Sequence, residues 1–541
     1  MGFISADRNQ TDLLGYSLDD FVPQESKCRF VVDLISKLNL SDLYNRYSDQ
    51  GNDALDPAVL LTSWFFAYSE GITSTRKLED LCRYDMRYIY VSTNLRPDHT
   101  TLSRFRKKHQ DLMSKYFIQI ILFAQKLGIS EFKEIAIDGT KIKASCSAKQ
   151  SFKDDQLTRK IRAVGKNIAE YMKRCDLAEV GHVHDEDLDS IRKEKERLEH
   201  IEKKLVQRQT QLRERQKELK PEHRKNHQIN IVEPDARFMP KSDGPSYNAQ
   251  AAADSETNFI LANDVVTEPN DQNQFSNIHQ KVENNIGSDP KRKYDADSGY
   301  HSLKQLEKVE EKGIDAVISD PTPKNRSNNS NPTSIRTILW VSMPMAKKGR
   351  RVERSDFTYH LEEDYYECPA GQKLQSSKKN INSKSQSTIY KSSDCRDCPV
   401  KALCLPEKSQ SLIRSIHRDN REILAEKMKE KLETDEAKSR LKTRATTIEP
   451  AFGNIKHNLG FRRFSLRGIE QVKGEFNLMC IAHNLNILFG LLVKGSFSFS
   501  IIANYLSYYR QIIMSKIRYM IYISLFSKII CFPLRLYLCT P

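Results

Sequence analysis

The chain has 541 residues, with 86 Lys plus Arg against 71 Asp plus Glu, a net charge of +15, and 38% hydrophobic residues. That length excludes a single small module and that balance of apolar and charged residues excludes global disorder, while 20 Gly and 19 Pro exclude a collagenous chain or a long flexible linker. The basic excess asks for an anionic partner, nucleic acid first, because Lys and Arg release counterions from phosphates and steer encounter at long range.

Residues 1–24 form an N-terminal extension that carries Asp7, Asp12, Asp19 and Asp20 and no apolar core of signal-peptide length, so export is not indicated. The eleven Cys are odd in number and widely spread, which fits a reducing compartment better than a secreted disulfide framework. Residues 25–130 read as a helical domain: Val31, Leu34, Ile35 and Leu38 recur at helical spacing, and Pro57 opens an apolar helix through Leu60, Leu61, Trp64 and Phe65. Its third element starts at a cap-like Asp98 or Thr100. The helix that follows carries Arg104, Arg106 and Lys107 as an exposed basic face, either solvated or lying on DNA.

Over 131–184 the sequence turns to α/β. Alternating Ile135 and Ile137, then Thr140 and Ile142, predict a strand from which Asp138 projects, followed by Gly139. Residues 185–230 form a charged helical insertion: Ile191, Leu198, Leu205, Leu212 and Leu219 recur every seven. The other seam holds Glu194, Arg208 and Arg215, which favours a long helix or a helical hairpin over a dimer zipper. Within 231–321 two strands at 247–252 and 259–266 make a hairpin. A helix at 274–286 follows, then a short strand bearing Asp297 before Gly299, a helix at 301–312 and a strand at 314–319.

The insertion 322–412 opens with an Asn- and Ser-rich linker over 322–348. It then carries Cys368, Cys395, Cys398 and Cys404, four thiols that could hold a structural Zn²⁺ tetrahedrally or stand reduced and loosely packed. Residues 413–490 return to helix and carry Glu449. Glu449 and Lys456 are seven apart, which puts them on one helical face. His483 reads as a packed helix residue. The basic, apolar tail 491–541 is of unclear origin, and charges interrupt every apolar run beyond residue 498, too often for a membrane helix of about 18 to 20 residues.

Three carboxylates from separate elements of one core, Asp138, Asp297 and Glu449, can hold two Mg²⁺ ions roughly 3.5–4 Å apart for phosphodiester transfer. Their local contexts are more specific than the acids alone. The segment Asp98-His99-Thr100-Thr101-Leu102-Ser103-Arg104-Phe105-Arg106, with Leu55-Asp56-Pro57 upstream, resembles the N-terminal motif of DDE transposases of bacterial insertion sequences. Ile137-Asp138-Gly139-Thr140, Ala296-Asp297-Ser298-Gly299-Tyr300, and Ile448-Glu449-Pro450-Ala451-Phe452-Gly453-Asn454-Ile455-Lys456 resemble that family's three catalytic blocks, in family order over about residues 25–490.

The resemblance implies an α/β fold: an RNase H-like mixed sheet flanked by helices, with a helical DNA-binding N-terminal domain and a helical insertion. It implies that Asp138, Asp297 and Glu449 bind Mg²⁺ (or Mn²⁺), and that Lys456 and Arg444 meet DNA beside them, with Arg104, Arg106 and Lys107 on the N-terminal helix. Arg444 stands one residue farther from Glu449 than the family spacing expects, and no Tyr occupies the matching place. Asp295 and Asp320 compete for the second acid, and the Gly299-Tyr300 context favours Asp297. Tyr247-Asn248-Ala249-Gln250 also resembles a family strand motif, although amides on strands are more often core or edge groups.

The implied activity is cleavage at the terminal inverted repeats of an insertion sequence and strand transfer into target DNA. The implied partners are double-stranded DNA and further copies of the chain in a synaptic homo-oligomer, with no small-molecule substrate and no membrane. The implied location is a bacterial cytoplasm, at the nucleoid. A stand-alone RNase H-like nuclease and a catalytically idle transposase-derived DNA-binding protein are the rival readings.

Overall fold

Asp56 and Pro57 start the central helix of the N-terminal unit. The Asp56 carboxylate accepts from the Ala58 N–H at 2.8 Å, and Pro57 fits the first turn because an N–H there would have no helical partner. That helix, α2 (Pro57–Ser69), buries nearly its whole circumference, which suits a helix enclosed by α1 (Lys27–Lys37), α4 (Met86–Val91), α5 (His99–Lys108) and the late helix Ile469–Val493, while α3 (Thr75–Tyr84) packs on α4 and α5. Asp98 caps α5 through the N–H groups of Thr100 and Thr101, and α6 (Met113–Lys126) leads into the sheet. The computed structural model describes residues 2–495 apart from 5, 12–14, 49–52, 178–184, 220, 241, 322–351, 353, 378–386, 394, 399–400 and 406–412. The linker expected at 322–348 and the tail from 496 onward lie outside the described residues.

Six strands form the main sheet: β1 (Glu134–Lys143), β2 (Arg237–Phe238), β3 (Pro245–Asp254), β4 (Ile260–Val266), β5 (Lys293–Ala296) and β6 (Asp315–Ile318). Their order is β6-β5-β1-β3, with β4 and β2 sharing the far side of β3. β1, β5 and β6 run parallel, and β3 is antiparallel to β1, β4 and β2. All ten residues of β3 are buried, as expected of a central strand covered on both faces, and its Ala249, Ala251, Ala252 and Ala253 let neighbouring elements approach. This sheet and the N-terminal helices share one hydrophobic core.

The leucine heptad is answered within the chain. α7 (Asp154–Leu177) and α8 (Asp185–Glu218) pack on each other as a hairpin, with Leu157, Leu205, Leu212 and Ile229 in its core. The insertion expected from residue 185 thus pairs with a helix that begins at Asp154. Leu157, Ile161 and Val164 of that first arm keep the four-then-three spacing that turns one helical face toward α8.

A second, antiparallel sheet, β7 (Thr358–His360), β8 (Tyr365–Glu367), β9 (Lys373–Ser377), β10 (Ser387–Ser392) and β11 (Ser415–Asp419), runs in that order around its own core of Phe357, Tyr366, Leu374, Tyr390 and Ile416. The chain, which has passed α9 (Phe275–Ile286) before β5 and α10 (Leu303–Glu311) after it, then returns through α11 (Glu422–Glu433) and α12 (Asp435–Gly453) to α13 (Ile469–Val493).

α13 is long and apolar enough to cross a membrane, yet more than half of its apolar window is buried inside the fold, against α2, α6 and β4. Asn484 on it donates to the Ile260 carbonyl at 2.8 Å and accepts from the Ile260 N–H at 2.9 Å, closing the edge of β4. His483 packs beside it, its Nε2 3.0 Å from the Asn258 carbonyl oxygen.

Candidate active site

Register fixes the heart of the site. Ile137 of β1 pairs with Ala296 of the parallel β5, so the residues that follow, Asp138 within β1 and Asp297 just past the end of β5, stand at the same level. Asp138 Oδ1 accepts from the Gly139 N–H at 2.7 Å, and Asp297 Oδ1 accepts from the Gly299 N–H at 2.9 Å, capping the turn Ser298–Tyr300. Burial pushes the Asp138 carboxyl up to about 6, against the pull of Arg444, with Asp297 and Asp271 adding like charge.

α12 lies across these strand ends with two arginines one turn apart. Arg444 Nη1 stands 3.5 Å from Asp138 Oδ2, and its side chain is only 11% exposed. Arg440 Nε donates to Asp295 Oδ1 at 2.9 Å and its Nη1 to Asp315 Oδ1 at 2.9 Å. Asp295, the competitor for the second acid, is therefore the buried partner of an arginine. The π-helical turn Asn454–Asn458 then carries Lys456 back to β1, where Nζ donates to Thr140 Oγ1 at 2.6 Å. Burial and nearby Lys141 lower the Lys456 pKa.

Glu449 departs from the expectation. Thr447, Ile448, Ala451 and Phe452 take the buried face of α12, which leaves Glu449 exposed while Lys456 is partly buried. Among the described residues no group of three Asp, Glu, His or Cys side chains stands close enough to hold a metal. The three-carboxylate set implied by the resemblance is thus not assembled; Asp138 and Asp297 come together, with Arg444 as the group from α12 beside Asp138. The pair still suits Mg²⁺. Its donors are all oxygen, and that ion commonly takes one or two protein carboxylates and fills its shell with water and substrate phosphate.

The basic residues of α5 divide. Arg104 and Lys107 are exposed and line an open groove with Arg76, Thr100 and Ser103. Arg106 is a correction: it is buried, with Nη1 donating to the Tyr68 hydroxyl and the Thr73 carbonyl, each at 3.0 Å, and its guanidinium 4.5 Å over the Trp64 ring. Leu102, Phe105, Arg106 and His109 make the i, i+3, i+4, i+7 stripe that faces the core, so Arg106 is spent inside the domain. A second basic groove, which sequence reasoning missed, follows the end of β1 and is lined by Lys143, Arg463 and Arg467.

Cys368, Cys395, Cys398 and Cys404 ring one small apolar cavity beside the core of the second sheet. All four are free thiols, and burial raises the pKa of Cys368 and Cys404. The four act on one another electrostatically across that cavity, although among the described residues no group of three stands at metal-holding distance.

Two segments of the chain match known protein families. Residues 16–108 match a family model described as a transposase domain, and residues 367–489 match one described as a transposase DDE domain. The first covers most of the N-terminal helical unit and the second runs from β8 through Arg444, Glu449 and Lys456, while Asp138 and Asp297 lie outside both. No curated protein and no solved structure matches the chain.

Proposed function

We infer that this chain, a DDE transposase by both matched segments, binds the terminal inverted repeats of its own insertion sequence, hydrolyses a phosphodiester bond at each end and joins the freed 3′-hydroxyl to target DNA. The observation that carries the reading is the Asp138–Asp297 pair, set level by the Ile137–Ala296 register beneath a helix that brings Arg444 to Asp138 and Lys456 to Thr140. The strand order β6-β5-β1-β3-β4, with three parallel strands continued by an antiparallel hairpin, supports an RNase H-like core.

Asp138 and Asp297 would hold the divalent metal, Mg²⁺ or Mn²⁺, and a metal bound there supplies Lewis-acid stabilisation of a reacting phosphate and activation of the attacking hydroxyl or water. Asp138 must be ionised to do so, and Arg444 favours that ionised form against burial. Lys456, already at the rim, can exchange its bond to Thr140 for a phosphate oxygen. Glu449, exposed on α12, would add its carboxylate to the Asp138–Asp297 pair. Exposed Arg104 and Lys107 suit the phosphates of the terminal repeat, in line with the net charge of +15. The same family reading supports work as a homo-oligomer holding two DNA ends in the cytoplasm.

Incubating the full chain and Mg²⁺ with a labelled terminal-repeat oligonucleotide and a plasmid tests this. Joined product is expected. Cleavage without joining would favour the stand-alone nuclease, and binding without either would favour the idle DNA-binding protein.

A further inference from the structure

The two amides of β3 and a loop acid form a network that the catalytic reading leaves unused. Asn248 and Gln250, two apart and so on one face of β3, are completely buried. Both donate to one oxygen of Asp271, in the loop between β4 and α9 (Phe275–Ile286): Asn248 Nδ2 at 2.7 Å and Gln250 Nε2 at 2.6 Å to Oδ1, with Lys141 Nζ at 3.4 Å from the same atom. Gln250 Nε2 also donates to Asn248 Oδ1 at 2.9 Å. Because both amide nitrogens donate to Asp271 Oδ1, Asp271 sets the orientation of both amides, and Gln250 is left to present its carbonyl oxygen outward. That oxygen accepts the hydroxyl of Tyr300. Tyr300 is fully buried and closes the turn that Asp297 caps.

Two glycines show how tightly this assembly is set around the acidic pair. A Cβ at Gly139, next to Asp138, would run into the Gln250 amide and come within 2.8 Å of Asp271 Oδ1. A Cβ at Gly299 would lie 3.0 Å from Asp297 Oδ1 and 3.4 Å from Asp271 Oδ2. A Cβ at Gly139 would force its neighbours to shift and one at Gly299 would be tight, and both positions lie between Asp271 and a carboxylate of the acidic pair.

We propose that Asp271 is a positioning residue for Asp297: acting through Gln250 and the Tyr300 hydroxyl, it locks the Ser298–Tyr300 turn so that the Asp297 carboxylate is held toward Asp138. This rests on the reading of Asp138 and Asp297 as the metal-holding pair. Support of this kind behind a metal ligand is worth 10- to 100-fold in affinity, roughly, when it is removed.

The test is Mn²⁺ binding by the full chain, followed by electron paramagnetic resonance with no DNA present, alongside thermal unfolding. Asp271→Ala and Tyr300→Phe break the chain of bonds at opposite ends. Each should weaken Mn²⁺ about 10-fold or more, and the double variant should be no worse than the poorer single one, because both act through one path. Asp271→Asn keeps an acceptor for the amides and should recover most of the affinity. Wild-type affinity in folded Asp271→Ala or Tyr300→Phe, or additive losses in the double variant, would overturn the proposal. Equal loss in Asp271→Asn and Asp271→Ala would overturn it too, because the charge and not the bond would then be what matters. If Asp271→Ala does not fold, Tyr300→Phe alone decides. Failure of the wild-type chain to bind Mn²⁺ would overturn the metal reading itself, a separate result from wild type binding and the variants binding equally.

Discussion

Arg440→Met should expose how the strand ends are held. Asp295 and Arg440 are 3% and 5% exposed, so the pair is withdrawn from water, and Arg440 also serves Asp315 and the carbonyls of Tyr294 and Asp315. Removing one partner of such a pair strands the other and costs about 3–5 kcal/mol, whereas an exposed pair would cost under about 1 kcal/mol. Asp315 retains Lys431 at 2.7 Å, so the stranded group is Asp295. Burial pushes the Asp295 carboxyl up to about 6 even with Arg440 opposing it, and the arginine's loss would push it higher. A carboxyl whose folded pKa exceeds its unfolded one binds more protons when folded, so stability rises as pH falls through the folded value. The variant's deficit should therefore be largest near pH 8 and shrink toward pH 5. Urea unfolding at both pH values, with hydrogen exchange in β5 and β6 to localise the change, measures it. Less than about 1 kcal/mol at both pH values would refute the claim that Arg440 sustains Asp295. Asp295→Asn should be milder, because Arg440 keeps Asp315, and it should leave Mn²⁺ affinity unchanged.

Four further outcomes are expected. Replacing Arg104 and Lys107 by Ala should lower the salt slope of DNA binding by up to about two, at roughly 0.9 per phosphate contact, with unfolding unaltered. Arg106→Ala should leave that slope alone and cost about 2–3 kcal/mol, because it empties a buried site that bonds Tyr68 and Thr73. Burial and the adjacent Lys108 hold the His109 pKa down to about 4, below its unfolded value, so the unfolded chain takes up the proton first. Stability should then fall as pH drops from about 6.5 toward 4, and His109→Phe should flatten that part of a plot of melting temperature against pH. Leu212→Ala should cost about 2–5 kcal/mol in the α7–α8 hairpin, seen as faster hydrogen exchange there, while DNA cleavage persists.

What the sequence made legible follows the range of the interactions involved. β1 and β5 could be read because alternating apolar residues and the glycines after Asp138 and Asp297 are local signals. The caps at Asp56 and Asp98 are equally local. Arg106 was misread although its stripe with Leu102, Phe105 and His109 is helical in period, because a charge invites an exposed assignment and only Trp64 and Tyr68, about forty residues earlier, reveal its burial. Arg444 looked misplaced when measured from Glu449, but the contact that gives it a role is with Asp138, some three hundred residues away. Asp271 sits in a loop with no period at all, so only the folded sheet brings it to Asn248 and Gln250. The seven-residue spacing of Glu449 and Lys456 marks one face on a straight helix, and the π-helical turn Asn454–Asn458 that holds Lys456 is a long-range feature the spacing does not carry.

Strand transfer by Asp138→Asn, Asp297→Asn and Glu449→Gln, assayed with Mg²⁺ beside a gel-shift measurement of terminal-repeat binding, tests the central claim most directly. Asp138 and Asp297 are claimed as the metal-holding pair, with Glu449 joining them from α12 during the reaction. All three variants should bind the repeat like wild type and yield no cleaved or joined product. Joining at the wild-type level by folded Asp138→Asn or Asp297→Asn would contradict the claim, and the same result for Glu449→Gln alone would leave the pair standing and remove Glu449 from the site.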